Sequence, residues 1–174
     1  PSDQTYADVA VLADRTIAIT WMSLNQDAAG SAGIYTRLFS PDGTPIGPEI
    51  SVNSTVSNNQ MYPAIASLAG GGFVITWQSY LQDGSDWGVF ARRFDSTGNP
   101  VSNEMAVNTT TIGIQTNPAI CPLPDGGFIV SWITSGYDVY ARRYAPDGSP
   151  STGEFQANTG AADGVQSGVR AGAL

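Results

Sequence analysis

The chain of 174 residues has no histidine, a single cysteine, and 7 basic residues that are all arginine, so lysine is missing as well. Without imidazole or a primary amine, the usual general base, the commonest metal ligand and Schiff-base chemistry are excluded. One thiol, at Cys121, excludes an intrachain disulfide and a thiolate zinc cage. No apolar run approaches the roughly 20 residues a membrane span needs, and the first residues carry neither the charged nor the apolar region of a signal peptide. Positive charge is scarce overall: 15 acidic residues give a net charge of -8 and a sequence pI near 4.1. Such a surface repels phosphate backbones and anionic headgroups, so nucleic acid and membrane insertion are excluded as partners.

The chain does have an internal repeat. Gln4, Gln60 and Gln115 each precede a tryptophan by 17 residues, at Trp21, Trp77 and Trp132. Downstream markers recur in the same order: Arg37, Arg92 and Arg142, then Glu49, Glu104 and Glu154, then Asn53, Asn108 and Asn158. One domain, 1–174, is thus expected to hold repeats at 5–60, 61–115 and 116–166, with a partial fourth at 167–174. The third copy is shorter between its Trp and its Arg, 10 residues against 16 and 15. A loop has been lost there and nothing else.

Each copy reads as four strands. Copy two gives 63–68, then an alternating segment at 72–79, a third at 88–95 and a fourth near 104–108, with Gly, Asp and Pro at the turns between them. No segment sustains a helical period, so the fold is expected to be all-β. Four strands in a period of about 50 residues fit a β-propeller blade, which predicts three blades plus one strand. A β-trefoil, which also holds three four-stranded units, is the alternative. Three blades cannot close a ring, and a homodimer making a six-bladed ring is one solution.

The stretch GGFVITWQSYLQDGSDWGVFARRFDSTGNPVSNEMAVNTTT, 71–111, resembles repeats of large secreted bacterial proteins, including RTX-type calcium-associated surface proteins and adhesins. Copy one departs from it, with DRTIAITW where copy two has the glycine run. The resemblance implies a secreted or cell-surface module without catalysis.

Recurrence separates scaffold from site. Trp21, Trp77 and Trp132 are expected as core anchors. Arg37, Arg92 and Arg142, each set between aromatics, are expected to pair with Glu49, Glu104 and Glu154 and to sit over a ring. Residues present in one copy only are better ligand candidates. Trp87 is one, in a loop with Gln82, Asp83 and Asp86, and Asp27, Asp83 and Asp86 offer the oxygen ligands that Ca²⁺ takes. The sequons at Asn53 and Asn108 recur at a strand end and read as structural. Function is therefore expected to be structural or adhesive, binding a protein partner, and not enzymatic. A lectin-like glycan-binding module using the loops between second and third strands is the alternative.

Overall fold

A computed structural model describes residues 3–159. Twelve strands form three four-stranded antiparallel sheets. The first sheet holds β1 (Gln4–Val11), β2 (Ile17–Leu24), β3 (Ala32–Phe39) and β4 (Pro45–Ser51) in sequence order. The second holds β5 (Gln60–Ser67), β6 (Phe73–Tyr80), β7 (Trp87–Phe94) and β8 (Met105–Ala106), and the third β9 (Gln115–Pro122), β10 (Phe128–Thr134), β11 (Val139–Tyr144) and β12 (Phe155–Gln156). Every strand neighbours the next in sequence, so each sheet is a meander whose first strand is one edge. The expected fourth first strand at 167–174 lies outside the described residues.

Alternation along the strands gives the second sheet two buried faces. Phe73, Ile75, Trp77, Phe90 and Phe94 turn toward the first sheet and pack with Ile34, Leu38, Ala18 and Val52. Val74, Val89 and Ala91, on the opposite face, pack against Phe128, Val130, Trp132 and Tyr144 of the third sheet. Large residues of each sheet thus meet smaller ones of the sheet before it. Stacked pairs Phe73–Phe94 and Phe128–Tyr144, with centroids 5.1 and 4.9 Å apart, anchor the two layers.

The first strands begin three residues earlier than the sequence indicates, ahead of Pro63 and Pro118. Each carries a bulge there: pairing shifts register between Thr5 and Asp8, between Met61 and Ala64, and opposite Ser131 and Ile133. A proline lacks the N–H that a continuous ladder uses, and the bulge removes the need for it. The fourth strand is long only in the first sheet, where its pairing shifts register between Thr36 and Leu38. In the others it shrinks to two residues plus an isolated bridge at Pro100 or Pro150, which blunts the outer edge.

The glycine run before β6 has a steric origin. A Cβ on Gly127 would run into the Tyr144 carbonyl, and one on Gly72 into that of Phe94. Gly71 and Gly126 take φ of 88° and 87°, where Arg15 of the first copy is held at 71°. Copy one therefore adopts the same turn with a side chain in the left-handed region.

Candidate functional site

A carboxylate and an asparagine meet at one rim of every sheet. Asn53 Oδ1 accepts the Ile34 N–H at 2.6 Å, Asn108 Oδ1 the Val89 N–H at 2.7 Å and Asn158 Oδ1 the Val139 N–H at 2.9 Å. Each amide group then donates to an aspartate: Asn53 to Asp27 at 2.9 Å, Asn108 to Asp83 at 3.1 Å, Asn158 to Asp138 at 3.1 Å. Asn53 and Asn108 also reach the next sheet, donating to Gln60 and Gln115 at 3.3 Å. Buried polar groups are thereby satisfied across the seam between sheets.

The third copy keeps this node despite its missing loop. Asp27 and Asp83 come from long β2–β3 and β6–β7 loops and lie against Gly33 and Gly88, and a Cβ on Gly88 would stand 2.5 Å from the Asp83 carboxylate. Asp138 occupies the register position of those glycines, immediately before Val139, and supplies the carboxylate from the residue that leads into β11. Sequence reading missed Asp138, although the alignment of Val89 with Val139 would have exposed it.

The recurrent arginines and glutamates do not pair with one another. The single ion pair among the described residues joins Arg143 to Asp125. Instead both types reach back to the preceding sheet. Arg92 Nη1 donates to the Val52 carbonyl at 2.9 Å and Arg142 Nη1 to that of Val107 at 3.0 Å. Glu104 accepts the N–H groups of Ser54 and Thr55 and, at 2.9 Å, the Thr55 hydroxyl. Glu154 does the same for Thr109 and Thr110. Burial pushes both carboxyls up, but these donors outweigh it and leave both below the usual glutamate range. Arg37, Arg92 and Arg142 each lie 5.7–5.8 Å from the centroid of the ring two residues on.

Trp77 and Trp132 are fully buried between sheets, whereas Trp21 is half-buried. Within the β6–β7 loop, Gln82 donates to Glu104 at 2.6 Å and Asp83 is taken up by Asn108 and the Ser85 N–H. Trp87 packs on Tyr80 with centroids 5.1 Å apart, and Asp86 accepts the Leu81 N–H through its main-chain carbonyl. Asp27 belongs to another sheet and accepts from Asn53 and the Tyr35 hydroxyl. Among the described residues no three acidic or sulfur ligands gather as a metal site would need. Burial, then Asp27 and Glu49, raise the Tyr35 hydroxyl well above the usual tyrosine range.

A second cluster lies on the first strands, where the copies differ. Tyr6, Tyr62 and Asn117 hold the same bulge position, at φ of 54°, 54° and 52°. Left-handed backbone costs a residue with a side chain about 1–2 kcal/mol, and strain of this kind concentrates at binding sites. The Tyr6 and Tyr62 rings lie 4.3 Å apart, inclined by 54°, and Tyr6 is 49% exposed. Two positions on, Asp8 stands where the other copies carry Ala64 and Ala119. It is the one acidic residue of β1, β5 and β9, and its carboxylate accepts the Ile65 N–H across the seam at 2.9 Å. Gln78, also unique to its copy, accepts the Asn117 N–H at 2.9 Å. Because Gln4 pairs with Ser23 and Gln60 with Ser79, this cluster shares its rim with the β2–β3 and β6–β7 loops. Comparing copies for what fails to recur would have found Asp8.

No protein-family model and no curated protein matches the chain in sequence. Among solved structures, an α-L-arabinofuranosidase from Lactobacillus brevis superimposes with a TM-score of 0.56 at 8% identity, over 90% of this chain and 55% of its own. A putative glycoside hydrolase from Bacteroides ovatus gives 0.56 at 10% identity, over 86% of this chain and 48% of its own. A thermostable family-43 glycoside hydrolase gives 0.52 at 11% identity, over 99% and 60%. The chain thus spans about half the length of these neighbours, and what it shares with them is the fold.

These neighbours correct the expectation of a non-catalytic structural or adhesive module, and with it the exclusion of an enzyme. The arrangement of sheets built by the recurrent residues is one that carries glycoside hydrolysis elsewhere. Threefold recurrence of Glu49, Glu104 and Glu154 argues only that those residues build the scaffold. Of the loop residues expected to bind a ligand, Gln82 and Asp83 are engaged within the scaffold.

Proposed function

We propose that the chain forms three consecutive blades of a β-propeller belonging to a carbohydrate-active protein of the glycoside hydrolase kind. The first strands β1, β5 and β9 lie innermost, and their bulge rim faces the sugar. Exposed Tyr6 and half-buried Tyr62 offer apolar ring surface to pyranose or furanose C–H groups, with their hydroxyls as polar handles. Asp8 supplies one of the two carboxylates that glycoside hydrolysis uses, and its partner comes from outside these three strands. The single observation that carries this reading is the asymmetric set of Asp8 beside Tyr6, Tyr62 and Asn117, the last three on strained backbone, in a fold whose neighbours are glycoside hydrolases.

The test pairs calorimetric titration of arabino- and xylo-oligosaccharides with release of nitrophenol from a pentofuranoside substrate. Saturable binding weakened about tenfold, or about 1.4 kcal/mol, by Tyr6→Ala and by Tyr62→Ala is expected. Hydrolysis, where detected, is expected to vanish in Asp8→Asn with binding retained. No saturable binding of any of these sugars by a folded chain overturns the proposal.

A further inference from the structure

The two ends of the array carry the two halves of one seam. At each internal seam the later sheet offers a face of large apolar residues, an arginine and a glutamate. The first sheet offers the same set with nothing on it among the described residues. Ile17, Ile19, Trp21 and Phe39 stand in register with the buried Phe73, Ile75, Trp77 and Phe94, yet all four are half-buried. Val9 and Val11 on the same sheet are 57% and 60% exposed. Arg37 bonds its own Gly47 carbonyl through Nε, but its Nη1, which in Arg92 and Arg142 crosses the seam, has no partner among the described residues. Glu49 is held by Gln26 as Glu104 is held by Gln82, and its second oxygen lacks the pair of N–H groups that Glu104 and Glu154 receive.

The third sheet presents the matching half. Ile129 and Val139 equal the buried Val74 and Val89 in register but are half-buried, and Ala157 and Asn158 stand where Val52 and Asn53 meet Arg92.

The turn contacts discriminate further. At the first seam the turn Ser96-Thr97-Gly98 docks on the apolar Leu38 and Ile50. At the second, Arg93 donates to the carbonyls of Pro146 and Asp147, at 2.8 and 2.5 Å, in a turn whose Gly148 lies against its stem. The exposed ends are Arg143, the counterpart of Arg93, and Pro41-Asp42-Gly43, the counterpart of Pro146-Asp147-Gly148. An arginine end therefore meets a Pro-Asp-Gly end, the pairing the second seam already uses.

We infer that the open face of the first sheet receives the third sheet of a second copy of this chain. Arg37 then bonds the Ala157 carbonyl, Glu49 the Thr159 N–H, and Arg143, beside its bond to Asp125, the carbonyls of the Pro41-Asp42 turn. Each seam joins unlike faces, and two copies joined twice about a two-fold axis close into a ring of six sheets.

Native mass by size-exclusion light scattering, from about 1 to 100 µM, tests this. A dimer is expected for the natural chain. Arg37→Glu and Arg143→Glu, each spoiling one half of the contact, are expected to be monomers with unaltered circular dichroism. Mixing those two variants leaves one intact half on each, so a 1:1 complex weaker than the natural dimer is expected. A natural chain that stays monomeric throughout, a dimer untouched by either charge reversal, or a mixture that forms no complex overturns the inference.

Discussion

Replacing Asn108 by alanine probes the seam where it is most deeply built. Its side chain is 3% exposed and makes four hydrogen bonds: it accepts from Val89 N–H at 2.7 Å and donates to Asp83, the Thr110 carbonyl and Gln115 at 3.1, 3.1 and 3.3 Å. Two of the groups left behind, the Val89 N–H and the Gln115 amide oxygen, belong to residues at most 2% exposed, beyond the reach of water. A buried polar group stripped of its partner costs about 1–3 kcal/mol, so the substitution is expected to cost about 2–4 kcal/mol. At roughly 2–4 °C per kcal/mol for a domain of this size, that lowers Tm by about 5–15 °C. Asn158→Ala is the control. It removes the equivalent bonds to Val139 and Asp138, but Asn158 is half-buried, so about 1 kcal/mol is expected. Urea unfolding followed by tryptophan emission measures both. Equal losses, or a loss below about 1 kcal/mol for Asn108→Ala, would refute the assignment of the asparagine as the node between sheets.

Other expectations follow from the same geometry. Arg15→Gly relieves left-handed backbone at φ 71° on an exposed turn and is expected to stabilise by about 1 kcal/mol, read as a rise in urea midpoint. Gly88→Ala drives a methyl against the Asp83 carboxylate and is expected to cost about 1–3 kcal/mol, whereas replacing residues 80–88 by the shorter 135–138 segment is expected to keep the fold, because Asp138 brings its own carboxylate. Glu104 and Glu154 sit below their ordinary pKa when folded, so their contribution is complete above the unfolded glutamate range and is lost as pH falls through the folded values. Asp95, brought down to about 2 by Thr97 and Asn99, follows at lower pH. An acid titration of Glu104→Gln is expected to show a shallower fall in stability than that of the natural chain.

Strand content and repeat structure were legible because both rest on short-range pattern. Alternation at Phe73, Ile75 and Trp77 specifies a strand, and the spacing of Gln, Trp, Arg and Asn fixes where sheets begin and end. The partners of the recurrent charges were not legible. Arg92 lies on β7 and Glu104 immediately before β8, which suggests a pair, but each finds its match in main-chain groups of the previous sheet, some 40–50 residues upstream. Periodicity also drew attention away from the site. A search for what repeats selects scaffold, while Asp8, Gln78 and the strained Tyr6 and Tyr62 are visible only as exceptions to the repeat or as backbone angles that no sequence displays.

The cross-seam bonds of the recurrent arginines and glutamates run from a later residue to an earlier one: Arg92 to Val52, Glu104 to Ser54, Arg142 to Val107, Glu154 to Thr109. On a ribosome this direction sets an order of assembly. Each sheet folds onto a surface already made, and the loop leaving it stays unfastened until its glutamate, about 50 residues behind, is added. At about 5–20 residues per second that interval lasts roughly 3–10 s. The growing chain thus fastens itself in the order in which it is made, and no finished sheet has to reopen to admit the next.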